Sequence, residues 1–127
     1  MATIKKLTCT KKMRTLTELT EELKEALCSE VVCEEKLLNE QGVWLCFEQY
    51  YFRCGGYVAL SVILTESDER QDARIAGFDG SGLANISWGA NQSFARKAVK
   101  VLAAFGFAEC GGDEPDRTGS KNSRYFS

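Results

Sequence analysis

The sequence predicts a single α+β domain in which two helices lie on one face of an antiparallel sheet of four or five strands. Two amphipathic stretches, one towards each end of the chain, indicate the helices because their apolar residues recur at helical spacing. Between them, alternating β-branched and aromatic segments joined by short polar or glycine turns indicate strands paired as a meander. Each helix has one apolar stripe, so both should cover the same sheet face in a two-layer sandwich.

The length and composition of the chain are those of an ordinary folded domain. Its 127 residues are 44% hydrophobic and 27% charged, so the chain can bury a core without the help of a metal or a disulfide. We assign residues 1–110 to a single α+β domain and residues 111–127 to a polar C-terminal tail. The net charge of −2 argues against a general affinity for nucleic acid.

The sequence also predicts a cytoplasmic protein with reduced cysteines. The N-terminal residues lack the apolar core of a signal peptide, and no apolar run is long enough to span a bilayer. We therefore expect the six cysteines to be free thiols in a reducing compartment. None of them forms a Cys-x-x-Cys pair and histidine is absent, so no metal site is predicted.

The first predicted helix covers residues 15–27. Thr15 and Glu18 fit a capping box, in which the hydroxyl and the carboxylate each accept a hydrogen bond from an unpaired backbone amide. The residues that should form its buried stripe are Leu16, Leu19, Leu23, Ala26 and Leu27.

Strands are predicted for the middle of the chain. Residues 57–66 have the strongest pattern, since their apolar residues alternate between the two faces of an extended chain. In this segment Val58, Leu60, Val62 and Leu64 should point in one direction. The other predicted strands are residues 31–38, 43–53, 73–78 and 83–88, with residues 3–9 as a further candidate.

The second predicted helix covers residues 92–105, with Asn91 as its N-cap. Gly106 stands where a left-handed residue commonly ends a helix, and Phe107 should then pack back on Leu102 as in a Schellman motif. Its buried stripe is predicted to consist of Phe94, Ala98, Val101, Leu102 and Phe105.

Little in the sequence indicates catalysis. Histidine is absent, which removes the usual partner of a nucleophilic serine or cysteine and the commonest general base. Asp72 and Asp79 remain as an acid–base pair in principle, although acidic residues at strand ends are more commonly solvated. We predict no catalytic residue and no cofactor, and the sequence names no substrate.

A glycine-rich bend follows the last of the central predicted strands. Asp79, Gly80, Ser81 and Gly82 form a candidate ligand-binding segment, because glycines let a ligand approach the backbone closely. The segment is neither a phosphate-binding Walker loop nor a dinucleotide fingerprint, since the flanking motifs are missing. The simpler interpretation is a bend that requires positive φ angles.

Aromatic side chains suggest an interaction surface. Trp44, Tyr50 and Phe52 share one side of the predicted strand 43–53, and the opposite side is also apolar. The two helices can cover only one face of the sheet, so the other face is expected to bind a second copy of the chain. Alternative covers are a ligand and the C-terminal tail, which carries Tyr125 and Phe126. An equally simple interpretation is that long aromatic side chains tolerate partial exposure without any cover.

The N-terminal stretch is basic and could be an arm for nucleic acid or for an acidic partner. Five positive charges without interleaved aromatic residues are more typical of a solvated terminus. The five residues are Lys5, Lys6, Lys11, Lys12 and Arg14.

The aromatic and glycine pattern resembles a family of short, mainly Gram-positive bacterial proteins that is known as a domain of unknown function. The segments that carry the resemblance are residues 47–53, residues 55–64, the glycine bend and residues 86–90, within an overall likeness over roughly residues 15–106. The resemblance implies a bacterial protein, and it implies no activity, cofactor or catalytic residue.

Two classes of function remain open after these observations. The first is a non-enzymatic interaction or dimerisation module that uses the second sheet face. The second is a small-ligand binding protein or enzyme with a site near the glycine-rich bend at residues 77–82. A large apolar surface would favour the first class, and a deep pocket beside the bend would favour the second.

Overall fold

A computed structural model describes residues 2–51, 56–79 and 90–110 of the chain. These ranges form six strands and two helices. In chain order the elements are β1 (Ala2–Cys9), α1 (Leu16–Leu27), β2 (Glu30–Leu37), β3 (Gly42–Tyr51), β4 (Gly56–Glu66), β5 (Gln71–Asp79), α2 (Ala90–Ala103) and β6 (Ala108–Glu109).

The strands form one open antiparallel sheet in the order β2-β3-β4-β5-β1-β6. The strands β2 to β5 are the predicted meander, and β1 lies beside β5 with Leu7 opposite Ala73. The α+β class and the antiparallel sheet are confirmed, but the sheet has six strands where four or five were predicted. The difference comes from β1 and from the two residues of β6, which pair with Leu7 and Thr8.

Both helices pack on the same face of this sheet. Helix α1 contacts β3 and β4, whereas α2 contacts β1, β4, β5 and α1. Alternate strand residues point towards the helices, and on β4 these are the four predicted residues, all fully buried. The most deeply buried large side chains around this core are Leu7, Leu19, Leu23, Leu45, Phe47, Leu60, Ile75, Phe94 and Leu102.

Helix α1 begins as the sequence predicts. The Thr15 hydroxyl accepts a hydrogen bond from the Glu18 backbone N–H at 3.1 Å, and the Glu18 carboxylate accepts one from the Thr15 N–H at 3.0 Å. The predicted stripe is wrong at one position, because Ala26 is exposed and Thr20 is buried in its place. Thr20 is tolerated there because its hydroxyl donates to the Leu16 carbonyl at 2.8 Å.

Helix α2 begins two residues earlier than predicted. Asn91 is therefore not the N-cap but the second residue of the helix. The predicted stripe is buried at Phe94, Ala98 and Leu102, while Val101 and Phe105 are half-buried.

The end of α2 is the predicted Schellman motif. The Phe107 N–H donates to the Leu102 carbonyl at 3.1 Å, and the Gly106 N–H donates to the Ala103 carbonyl at 3.1 Å. Gly106 has a φ of +95°, and Phe107 returns to the core beside Leu102. The motif thus connects the helix to β6.

Replacing Gly106 with alanine should lower the free energy of unfolding by about 1–2 kcal/mol, because L-residues disfavour positive φ. A Cβ atom at this position would also lie 3.2 Å from the Cys9 Sγ atom. Urea unfolding measures the loss. Gly106→Asn is the matched control. Asparagine adds the same Cβ atom but tolerates the left-handed region better than alanine, so this variant should lose less of the free energy of unfolding. A Gly106→Ala variant as stable as the parent would contradict the left-handed conformation of residue 106.

Several sequence predictions lie outside the described residues. They are the strand at residues 83–88 and the C-terminal tail at residues 111–127.

Candidate functional site

The face of the sheet turned away from α1 and α2 carries six large, exposed apolar side chains. We call it the open face. Its apolar residues come from four neighbouring strands, so the group depends on the whole sheet rather than on one segment. They are Ile4 on β1, Trp44 and Tyr50 on β3, Tyr57 and Ile63 on β4, and Phe78 on β5.

The strand register brings these residues together. Tyr50 is directly opposite Tyr57, with ring centroids 5.2 Å apart in an edge-to-face arrangement. Trp44 is opposite Ile63, and its indole N–H donates to the Ser61 hydroxyl at 3.0 Å. The apolar area extends roughly 20 Å along the strands and roughly 14 Å across them.

The exposure of these side chains is high for their size. Tyr57 is 51% exposed, Ile4 57% and Phe78 44%. Single exposed apolar residues are common on protein surfaces, but a contiguous group of this extent more commonly marks an interaction site.

Opposite charges lie towards the two sides of the open face, partly among its apolar residues, and the Asp72 carboxylate on the basic side is paired with Arg70. Glu30 and Glu35 on β2 and Glu48 on β3 form an acidic side. Lys6 on β1 and Arg74 on β5 form a basic side. One row across the sheet contains both signs, in the order Glu35, Trp44, Ile63, Arg74 and Lys6.

Two cysteines lie next to each other on the open face. A bulge between Val31 and Cys33 shifts the pairing of β2 with β3, so that Cys33 stands opposite Cys46. Both thiols are half-buried. Desolvation raises the pKa of the Cys33 thiol, and the neighbouring Cys46 and Glu35 raise it further.

The residues predicted as an interface are placed on this surface in part. Trp44 and Tyr50 lie on the open face, and Phe52 lies outside the described residues. Ile4, Tyr57, Ile63 and Phe78 were not among the predicted interface residues, although alternation along β4 already put Tyr57 and Ile63 on one side of that strand.

The glycine-rich bend at residues 77–82 is described only as far as Asp79. Asp79 ends β5, where it pairs with Val58, while Gly80, Ser81 and Gly82 lie outside the described residues. An open cavity of about 450 Å³ lies near this end of β5, because Thr3 in its wall pairs with Gly77. The residues lining the cavity are Thr3, Lys5, Gln92, Arg96, Val99 and Glu109.

The charges in this cavity are partly compensated. Lys5 Nζ lies 3.7 Å from a carboxylate oxygen of Glu109 across β1 and β6. The ion pair leaves less positive charge for an anionic ligand, so the cavity is a weaker candidate site than the open face.

An acid–base pair of Asp72 and Asp79 is wrong on geometric grounds. The two residues are seven positions apart on the single strand β5, which separates them by roughly 23 Å. Asp72 instead accepts a hydrogen bond from the Arg70 guanidinium at 3.1 Å. Two carboxyl groups so far apart cannot act on one bond.

The basic N-terminal stretch is not an extended arm, because its first half is strand β1. Lys12 lies 3.4 Å from the Glu66 carboxylate and donates to the Asp68 carbonyl at 3.1 Å. The Arg14 guanidinium lies 4.9 Å from the centre of the Phe105 ring. These basic groups are held by the domain itself.

Within the described ranges, no three cysteine or carboxylate side chains are grouped as a metal site would require. Neither of the helices described there is long and apolar enough to cross a membrane.

The fold is similar to that of the Saccharomyces cerevisiae Ran-binding protein Mog1p. The two chains share 11% identity with a TM-score of 0.48 over 84% of this chain and 67% of that chain. A likeness this distant carries no argument about function. No family model matches the sequence and no curated protein matches it, so the resemblance to a bacterial family stays a prediction.

Proposed function

We propose that this protein is a non-enzymatic, cytoplasmic interaction module that forms a homodimer through the open face of its sheet. The observation that carries the proposal is the group of six exposed, large apolar side chains on that face, opposite the two helices. Burying a large apolar side chain contributes about 1.5–3 kcal/mol. Several such residues near the centre of a patch are typical of a protein interface.

The charge pattern favours one arrangement of the two copies. Strand β4 is the middle of the five strands β2-β3-β4-β5-β1. A two-fold axis that runs above β4 and parallel to it lays one sheet on the other with the strand order reversed. Strand β2 of one copy then faces β1 of the other, and β3 faces β5.

This axis brings complementary residues together. In the row that crosses all five strands, Glu35 faces the partner's Lys6, and Trp44 faces the partner's Arg74. The first contact is an ion pair and the second a cation–π contact. Ile63 lies at the axis and meets its own copy. Aligned packing of two sheets at about 10 Å is a common arrangement.

The other in-plane axis is unfavourable. An axis perpendicular to the strands would lay β2 on β2, so that the acidic residues Glu30 and Glu35 of the two copies would lie near one another. Like charges at an interface repel and suppress the wrong arrangement. The separation of acidic and basic sides therefore supports the axis parallel to β4.

Charge exchange tests this proposal. We expect Glu35→Lys and Lys6→Glu each to raise the dimer dissociation constant about tenfold or more, because each change makes two like-charge contacts in a symmetric dimer. The double variant, or an equimolar mixture of the two single variants, should restore association because opposite charges meet again. Sedimentation equilibrium at low salt measures all four.

Glu25→Lys and Lys97→Glu are matched controls, since both residues are exposed on the helices and make the same changes in net charge. They should leave the dissociation constant unchanged. Removing residues 111–127 should also leave the dimer intact, whereas a tail that covers the open face would leave the truncated protein prone to aggregate. A parent protein that stays monomeric at high micromolar concentration would refute the dimer. A dimer whose dissociation constant is unchanged by Glu35→Lys and Lys6→Glu would refute the axis parallel to β4.

A ligand-binding role is the second candidate. The cavity between β1 and α2 supports it, because its volume is within the range of small-molecule sites. Its charged groups Lys5 and Glu109 are paired with each other, so the support is weaker.

A further inference from the structure

The cysteines on β2 and β3 are brought into register by a backbone irregularity. Before the bulge, Glu30 pairs with Glu48 and Val31 pairs with Phe47. If this antiparallel pairing continued without a break, each next residue of β2 would pair with the preceding residue of β3, and Cys33 would stand opposite Leu45. The bulge shifts the pairing by one residue and puts Cys33 opposite Cys46 on the open face.

The geometry of this pair is close to that of a disulfide. Directly opposed residues in an antiparallel sheet have Cβ atoms about 4.5–5.5 Å apart, and a disulfide needs about 3.5–4.5 Å. Both residues are on the open face, so their side chains leave the two strands on the same side of the sheet. A small adjustment of the two strands, rather than a rearrangement of the sheet, would bring the sulfur atoms into bonding range.

The pair differs in accessibility from the other described cysteines. Cys33 is on β2, an edge strand of the sheet, and both thiols of the pair are half-buried. Cys9 is 1% exposed and its thiol donates to the Phe105 carbonyl at 3.5 Å. Cys28 and Cys110 are exposed, but neither belongs to an opposed pair in the sheet register.

We infer that Cys33 and Cys46 are a modification site, at which a small disulfide such as oxidised glutathione closes a reversible cross-strand disulfide. This site goes beyond the proposed dimerisation. A dimer formed through the open face would cover both thiols, so the reaction belongs to the monomer and is tested at a protein concentration below self-association. One protein thiolate attacks the small disulfide and releases one small thiolate, which leaves a mixed disulfide. The second protein thiolate then attacks the protein sulfur and releases the other small thiolate. The protein loses two electrons and two protons, and the small disulfide becomes two thiols.

Peptide mapping of the folded protein after treatment with oxidised glutathione tests this site. Trypsin cleaves after Lys24, Lys36 and Arg53, so the two cysteines fall in separate peptides, residues 25–36 and 37–53. We expect these peptides to be joined, with the loss of two hydrogens. The joined form should exceed the glutathione adduct at either site by about tenfold or more, because an adjacent thiol reacts at a very high effective concentration. Dithiothreitol should reverse the change.

Two variants and a second protease make the assignment specific. Cys28 lies in the same tryptic peptide as Cys33, so a link from this peptide could involve either cysteine. The Cys28→Ser variant should therefore still give the joined peptides. In the parent protein, a protease that cleaves after Glu30 separates Cys28 from Cys33 without any substitution. Cys33→Ser should abolish the link and leave Cys46 with a stable glutathione adduct. Persistent adducts at both cysteines of the parent, two thiols that remain free, or a link that mainly joins other cysteines would each overturn the inference.

Discussion

Truncating Phe47 to alanine is expected to lower the free energy of unfolding by about 3–5 kcal/mol. Phe47 on β3 is fully buried on the helix-covered face of the sheet, opposite Leu60 of β4. Removing its ring loses the transfer free energy of the ring and leaves a cavity that the surrounding strands and helices can fill only in part. Folded domains are stable by only about 5–15 kcal/mol, so the loss is a large fraction of the total. Urea unfolding below the concentration of self-association measures it.

Tyr57→Ala is the matched control for this experiment. Tyr57 is an aromatic residue of the neighbouring strand β4, but it lies on the open face and is 51% exposed. Its truncation should cost the monomer about 1 kcal/mol or less. Equal losses for the two variants would mean that the assignment of the core to the helix-covered face is wrong.

Replacing Gln71 with glutamate should lower the free energy of unfolding by about 2–4 kcal/mol at pH 7. Gln71 is 1% exposed, and its side-chain N–H₂ donates to the Arg14 carbonyl at 2.7 Å and to a Glu66 carboxylate oxygen at 3.1 Å. A carboxylate would replace this donor by an acceptor and would place a second negative charge beside Glu66.

The loss should depend on pH with a definite sign. The folded protein favours the neutral form of the new carboxyl group, so the pKa of that group is higher in the folded state than in the unfolded chain, where it is about 4.3. The stability deficit should therefore be full at neutral pH and should shrink as the pH falls to the unfolded value, because a protonated carboxyl group can donate again. Urea unfolding across this pH range measures the deficit.

Gln49→Glu provides the control for this pair of measurements. The Gln49 side chain accepts a hydrogen bond from the Ser29 hydroxyl at 3.0 Å, and a carboxylate can accept the same bond. The substitution should change the stability by less than about 1 kcal/mol and with little pH dependence. The role of the Gln71 side chain as a hydrogen-bond donor would be contradicted if Gln71→Glu were as stable as the parent at pH 7. It would also be contradicted if the loss of stability grew as the pH falls.

Local patterns in the sequence predict much of this fold. The capping box at Thr15 and the left-handed residue at Gly106 depend on neighbours within a few positions, and both are confirmed. The alternation in residues 57–66 likewise identifies the buried side of β4 correctly. Strand β1 is harder to recognise, because among its residues 3–9 only Leu7 and Cys9 are fully buried. Strand β6 has only two residues, too few to show an alternation of buried and exposed side chains.

The composition of the open face depends on contacts that a sequence pattern does not reveal. Ile4 and Phe78 join the group because β1 lies beside β5, although the two residues are distant in the chain. The separation of acidic and basic sides also requires the strand order. The opposition of Cys33 and Cys46 requires the bulge in β2, for which the sequence gives no sign. Alternation assigns residues to a side of one strand, and only the topology assembles those sides into a surface.

The exposed edge of β2 has a consequence for aggregation. An unprotected edge strand offers free backbone groups to which further strands can add, and repeated addition gives open-ended polymers. Here the bulge interrupts a flat edge, and Glu30, Glu34, Glu35 and Lys36 put charges along it. Two such edges that meet in antiparallel fashion bring glutamates together and repel. The β2 edge of the sheet is therefore protected against the addition of further strands.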